Sequence, residues 1–95
     1  MDDRSIHSID DHADLREGEV YNVRGRLRWT SPSAIGPRRL MISHTDWTDT
    51  YIRTPDDAHI PFAPLASVVV KARADEDLQL VGISIHDYNG GHVLL

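Results

Sequence analysis

Three arginines, Arg24, Arg26 and Arg28, occupy alternate positions in the segment VYNVRGRLRW, which spans residues 20–29. Because successive side chains of a β-strand point to opposite faces, this pattern predicts a half-buried strand with the arginines on its outer face. The guanidinium groups would then stand about 7 Å apart, given about 3.3 Å of rise per residue. Like charges repel, so either nearby carboxylates neutralise them or an anionic partner binds to them.

Other kinds of chemistry have weaker support. The chain has no cysteine, which excludes disulfides, thiolate metal sites and cysteine nucleophiles. Its six histidines show no HExxH or other metal-ligand spacing, although His44 and Asp46 would share one face of a regular strand. The sequence also lacks GxSxG and glycine-rich phosphate-binding motifs. It therefore predicts no metal site, no cofactor and no enzymatic activity.

Length and composition predict a single small globular domain. The chain has 95 residues, of which 40% are hydrophobic and 26% charged. No apolar run approaches the roughly 20 residues needed to cross a membrane, and the N-terminus lacks the pattern of a signal peptide, so we expect a cytoplasmic protein. The net charge of −5 lies within residues 1–19, which hold seven acids and two bases, whereas the remaining residues hold eight of each.

The chain divides into an acidic beginning and a β-rich body. Low hydrophobicity and high charge predict that residues 1–16 form a mostly mobile tail. The spacing of Ile6 and Ile9 also permits one helical turn packed on the body. Residues 17–95 are predicted to form a single β-barrel domain.

Strand patterns recur throughout that body. Alternation and β-favouring residues predict five strands, at residues 19–30, 38–45, 50–54, 67–74 and 78–87, with a short sixth at 92–95. Gly25 lies inside the first strand, where a glycine is typical of a bulge or of a sheet that curls. Two prolines within residues 60–66 argue against a regular helix there. We therefore predict an all-β fold, a small five-stranded Greek-key barrel with a short connector between its third and fourth strands.

This order of elements resembles the OB-fold, the oligonucleotide- and oligosaccharide-binding barrel. The resemblance covers about residues 17–88 and rests on the VxVRGRL-like first strand and the hairpin VVVKARA…LQLVGISI. The chain departs from the family where the connector carries prolines in place of a clear helix. The resemblance implies a non-catalytic domain that binds single-stranded nucleic acid, within a larger replication or repair assembly.

The resemblance also implies where such a ligand would bind, across the second and third strands. Arginines there would follow the phosphates, and aromatic rings would stack on bases for about 1–3 kcal/mol each. The candidate residues are Arg24, Arg26, Arg28, Arg38, Arg39, Trp47, Tyr51 and Arg53, with His44 mapped to the same face. In the structural alternative, Trp47 covers one end of the barrel, Tyr51 faces the core, and the arginines pair with acids of residues 75–77 or of the tail.

The acidic net charge opposes binding to a polyanion, and so does the acidic turn at residues 75–77. One resolution is that the tail covers the arginines until a ligand displaces it, so that removal of residues 1–16 raises affinity. The second function class is a protein-interaction module: a complex subunit, a homodimer or a small phage-type inhibitor that uses free sheet edges and the acidic tail. Neither class involves a membrane.

Overall fold

The computed structural model describes residues 5–29, 39–54, 62–63 and 65–95. Strands dominate these residues, with one short 3-10 helix near the beginning. The elements in chain order are β1 (Ser5–Ile6), the 3-10 helix (Ile9–Asp14), β2 (Val20–Trp29), β3 (Arg39–Ser43), β4 (Asp49–Arg53), β5 (Ser67–Ala74), β6 (Leu80–Asp87) and β7 (His92–Leu94). Within these ranges, no helix is long and apolar enough to cross a membrane.

Five strands close into a barrel in the order β2–β3–β4–β6–β5, and β5 pairs back with β2. The β4–β6 contact is parallel, and the other four contacts of the barrel are antiparallel. The predicted fold class, a small five-stranded barrel, is confirmed, and the strand order is consistent with an OB-like topology. Two additional strands lie outside this cylinder, because β1 pairs with β2 and β7 pairs with β6.

The first long strand, β2, curls at its glycine, as predicted. It pairs with β5 from Val20 to Arg26 and with β3 from Arg26 onward, so it changes partners in its middle. A Cβ atom on Gly25 would lie 2.5 Å from the carbonyl oxygen of Ser43, closer than real Cβ contacts. Glycine at this position therefore permits the approach of β3 that closes the barrel.

Alternation along the strands gives the barrel its core. Tyr21, Val23 and Leu27 of β2 are buried, as the sequence predicts, while Arg26 and Arg28 are exposed. The other strands contribute apolar side chains to the same cluster, among them Leu40, Ile42, Ile52, Val68, Val70 and Ile85. Burial of such a cluster is the main favourable term in folding a domain of this size.

The connector between β4 and β5 lies against the barrel where it is described. Leu65 donates its backbone N–H to the carbonyl of Leu27 (2.7 Å), and Leu27 donates to the carbonyl of Ala66 (2.9 Å). Phe62 and Ala66 pack on the core cluster. Residues 55–61 of this connector lie outside the described residues.

The N-terminal segment, here residues 5–16, also packs on the barrel. β1 runs parallel to β2, with Ile6 opposite Val23, and Ile6 is only 1% exposed. The hydroxyl of Tyr21 accepts a hydrogen bond from the backbone N–H of Arg16 (2.8 Å). A short helix does form at Ile9–Asp14, but Ile6 lies in β1 and not in a helical turn with Ile9. β1 can pair with β2 because β3 begins to pair with β2 only at Arg26, which leaves the earlier edge of β2 open.

The two isoleucines of the N-terminal segment have very different environments, which gives a direct test of its packing. We expect Ile6→Ala to lower the free energy of unfolding by about 2–5 kcal/mol, because it empties a buried site. Ile9 is 46% exposed, so Ile9→Ala should cost about 0.5 kcal/mol or less. Urea denaturation of both variants measures the difference, and equal effects would contradict the packing of β1.

Candidate functional site

The strand register places most of the predicted site residues on one outer face of the barrel. Residues directly opposite each other on paired strands point to the same side of the sheet. Two rows cross this face from β2 through β3 to β4: Arg28–Met41–Tyr51 and Arg26–Ser43–Asp49. Arg39 and Arg53 form a further cross-strand pair on the same face. The other predicted cation, Arg38, lies outside the described residues.

A groove of about 750 Å³ runs along the β2 side of this face. The arginine row of β2 lines it, together with Trp47 from the β3–β4 loop and Tyr88, which follows β6. The groove is also lined by Ser67 at the start of β5 and by Leu65 just before it, as well as by His7 and Asp49. The groove thus combines three cations, two aromatic rings and one carboxylate.

Two arginines of the row, Arg26 and Arg28, differ from the third in their surroundings. Among the described residues, no carboxylate forms an ion pair with Arg26 or Arg28, and both side chains are exposed. Arg24 is half-buried, and its Nε donates a long hydrogen bond of 3.4 Å to the hydroxyl of Ser5. The two exposed guanidinium groups therefore carry charge that an anionic ligand could use.

The acidic turn at residues 75–77 lies at the other end of the barrel. Ser67, beside the groove, pairs with Arg26, whereas Arg73, next to the turn, pairs with Val20. The eight residues of β5 separate the groove from the turn by about 23 Å at about 3.3 Å per residue. Asp75 accepts hydrogen bonds from the backbone N–H groups of Asp77 and Gln79, both at 2.9 Å, which stabilises the turn itself.

Trp47 is the most exposed large apolar side chain in the described residues. It lies in the β3–β4 loop (residues 44–48, the Trp47 loop), is 94% exposed and has a φ of 68°. A side chain other than glycine in this left-handed region costs on the order of 1–3 kcal/mol and is enriched at functional sites. The alternative in which Trp47 covers the barrel end and Tyr51 faces the core is wrong, since Tyr51 is also 49% exposed.

His44 does not belong to the exposed face to which the sequence analysis mapped it. Alternation continues past β3, so the side chain after Ser43 points inward, and His44 is 5% exposed. Its Nδ1 lies 2.9 Å from the carbonyl oxygen of Arg24, and its Nε2 lies 2.5 Å from the hydroxyl of Thr50. The inner edge of the ring still lines the groove.

The hydroxyl of Thr50 joins His44 to the N-terminal segment. Nε2 of His12 lies 2.9 Å from the same hydroxyl oxygen. Because a carbonyl can only accept, Nδ1 of His44 must carry a proton, and its Nε2 in the neutral ring then accepts from Thr50. Thr50 in turn accepts from the Nε2–H of His12. Neutral rings satisfy every member of this chain, whereas two protonated rings would leave the hydroxyl proton without an acceptor.

The pKa of His12 is lowered from its usual 6.5, consistent with this arrangement. Burial is the largest cause, followed by the Coulombic effect of the neighbouring His44, and the carboxylate of Asp11 opposes both. The folded protein therefore disfavours the charged form of this ring.

Some groove residues were not predicted. Tyr88, His7 and Leu65 all lie outside the predicted strands: Tyr88 follows the fifth strand, His7 is in the N-terminal tail, and Leu65 is in the connector. Only the closure of the barrel brings the ends of β5 and β6 beside β2. In the described ranges, no three His, Cys, Asp or Glu side chains are grouped so that they could hold a metal ion.

Comparison with known proteins gives no family for this chain: no protein-family model matches it, and no curated protein matches it. Its function must therefore be inferred from the geometry and charge of the groove.

The hydrogen-bonded series His12–Thr50–His44 predicts that the stability of the fold depends on pH. His12 has a lower pKa when folded than when unfolded, so its contribution to stability is complete above about pH 6.5 and is lost as the pH falls below that value. We expect His12→Gln, which keeps an N–H donor but does not titrate, to reduce the loss of stability between pH 7.5 and 5.5. Urea denaturation at both pH values measures this. His7→Gln, at an exposed histidine, is the control, and an equal effect of both variants would contradict the role of His12.

Proposed function

We propose that this chain is a non-catalytic OB-like domain that binds single-stranded nucleic acid in the β2 groove and on the adjoining face of β3 and β4. The observation that carries the proposal is that the exposed guanidinium groups of Arg26 and Arg28 line the same groove as the exposed indole of Trp47. Arginines at intervals of about 7 Å suit the successive phosphates of an extended strand.

Stacking explains the aromatic side chains better than packing does. A buried tryptophan stabilises a fold, but Trp47 at 94% exposure contributes little to the core. An exposed ring beside cations is the arrangement with which single-strand binders hold bases without reading their sequence. Tyr88, which is 66% exposed and lines the same groove, offers a second platform.

The net charge of −5 does not prevent such binding. At physiological ionic strength charges are screened over about 8 Å, while the acidic turn at residues 75–77 lies about 23 Å from the groove. At close range the groove offers the exposed guanidinium groups of Arg26 and Arg28, and Asp49 is the one carboxylate among its described lining residues. Affinity should be modest and should depend steeply on salt, since it comes from local contacts and counterion release.

The stacking role of Trp47 is tested by fluorescence anisotropy with labelled single-stranded DNA and RNA. We expect Trp47→Ala to weaken binding by about 5- to 150-fold, the equivalent of 1–3 kcal/mol. The matched control is Leu78→Ala, because Leu78 is also an exposed apolar residue with positive φ in a hairpin turn, at the far end of the barrel. Absence of binding by the wild-type chain at low salt would overturn the proposal.

The role of the arginine row is tested by salt titration. For single strands the slope of log K against log salt is about −0.7 per phosphate contact, so Arg26→Gln should make it less steep by about 0.7. Arg73→Gln removes the same charge from an exposed position at the far end of β2 and β5, and should leave the slope unchanged. Equal effects of the two variants would show that only net charge matters.

A second candidate function, protein binding by strand addition, is favoured by one observation at β7. Among the described strands, β7 pairs only with β6, so its outer edge is open, and Leu94 on it is 76% exposed. Open edges accept strands of other chains. If a second copy binds there, light scattering should show a dimer that Leu94→Lys dissociates; a monomer at all concentrations would exclude the homodimer.

A further inference from the structure

The Trp47 loop is held from outside by the N-terminal segment. The hydroxyl of Ser8 donates a very short hydrogen bond to a carboxylate oxygen of Asp46, and it lies 3.5 Å from the hydroxyl of Thr48. The backbone N–H of Ile9 donates to the Thr48 hydroxyl at 3.0 Å. The two residues on either side of Trp47 are thus both bonded to a segment about 40 positions earlier in the chain.

Asp46 is the centre of this contact. Besides Ser8, it accepts hydrogen bonds from the backbone N–H of Thr48 (3.1 Å) and from its hydroxyl (2.5 Å). The bonds from Ser8 and then Thr48 lower the pKa of Asp46 to about 2. The carboxylate is therefore ionised at any physiological pH, and the contact does not require a particular pH to form.

The loop has few other constraints. Within the loop, Trp47 donates its N–H to the carbonyl of His44 (3.2 Å), and His44 donates to the carbonyl of Thr48 (2.8 Å). The exposed indole makes almost no packing contact to hold the left-handed backbone. Strained backbone persists only where the surroundings over-determine it. The external bonds at Asp46 and Thr48 add to the bonds within the loop and connect it to the N-terminal segment.

We propose that the N-terminal segment positions Trp47 for ligand binding, through the contact of Ser8 with Asp46 and Thr48. This inference rests on the proposed function of the groove. It makes Ser8, Asp46 and Thr48 positioning residues, since they act through Trp47. By linkage, a ligand that stacks on Trp47 in this geometry also tightens the docking of the N-terminal segment.

The proposed role is opposite in sign to that of a competing tail. A tail that covered the arginines would have to place carboxylates on Arg26 or Arg28, and among the described residues none does so. Instead, residues 5–16 contact the edge of β2, the Trp47 loop and Tyr21. Loss of these contacts should weaken binding. Deletion of the whole segment is a poor test, because it also removes Ile6 from the core.

Two point variants separate positioning from charge. Ser8→Ala leaves the charge unchanged, and we expect it to weaken oligonucleotide binding about three- to tenfold, the size of an ordinary hydrogen bond. Asp46→Ala removes a negative charge, which by electrostatics alone would strengthen binding to a polyanion. Weaker binding by both variants supports the proposal, and stronger binding by Asp46→Ala overturns it. The matched control is Asp75→Ala, which disrupts a similar turn at the far end.

A readout without ligand distinguishes failure of this inference from failure of the proposed function. Amide hydrogen exchange by NMR should become faster at Trp47 and Thr48 in Ser8→Ala, and should not change there in Asp75→Ala. Unchanged exchange overturns the positioning role, whether or not oligonucleotides bind. Faster exchange with unchanged affinity also overturns it. If the wild-type protein binds no oligonucleotide but exchange is faster in Ser8→Ala, the contact between the N-terminal segment and the loop is supported. Only the proposal of nucleic-acid binding is then refuted.

A disulfide gives a second test, in which a covalent bond replaces the hydroxyl contacts between Ser8 and the Trp47 loop. The chain has no cysteine, so Ser8→Cys with Thr48→Cys forms a unique pair, at positions whose hydroxyl oxygens lie 3.5 Å apart. The oxidised protein should bind a single-stranded oligonucleotide at least as tightly as the wild type, and reduction should weaken binding to the level of Ser8→Ala. Weaker binding in the oxidised form would contradict the proposal, provided that urea denaturation shows the protein to be folded.

Discussion

The whole arrangement depends on one strand that pairs with two neighbours. β2 changes partner from β5 to β3 around Gly25, where any side chain would collide with the backbone of Ser43. This close approach closes the barrel and turns the arginine side of β2 toward the groove. It also leaves the earlier edge of β2 open, and unpaired backbone groups at an edge need partners. β1 supplies them, and it brings Ser8 and His12 beside the Trp47 loop.

Two hairpin turns of this chain show how the same local device is used with and without an external partner. In each, an aspartate accepts backbone N–H groups and an exposed apolar residue adopts a positive φ: Asp46 with Trp47, and Asp75 with Leu78. Such turns are stable on local bonds alone. The additional bonds from Ser8 and Ile9 at the Trp47 loop are therefore not needed to form a hairpin, and fixing the position of the indole explains them better.

The sequence predicts the scaffold well because alternation is a local property. The positions of Tyr21, Val23 and Leu27 indicate the buried face of β2 without knowledge of its partners, and residues 67–74 match β5 in full. The same alternation, continued from Leu40 and Ile42, places His44 on the inner face, so its assignment to the outer face is wrong. Tertiary features were harder. That Tyr88 and Trp47 line one groove follows from barrel closure, and that Ile6 is buried follows from an open edge that only the register reveals.

Total charge is a poor guide to what this molecule can bind, because it does not show how far each acidic group lies from the exposed arginines. The carboxylates of residues 75–77 lie at the end where β5 meets β6, and Asp46 is engaged by three hydrogen bonds beside the Trp47 loop. Among the described residues, Asp49 is the one carboxylate that lines the groove, and the hydroxyl of Ser43 donates to it at 2.7 Å. A polyanion that approaches along β2 therefore meets Arg26 and Arg28 at close range, while the acidic turn at residues 75–77 lies beyond a screening length. The acidity lowers the rate of encounter, since long-range steering is unfavourable, but it changes the strength of the bound contacts much less.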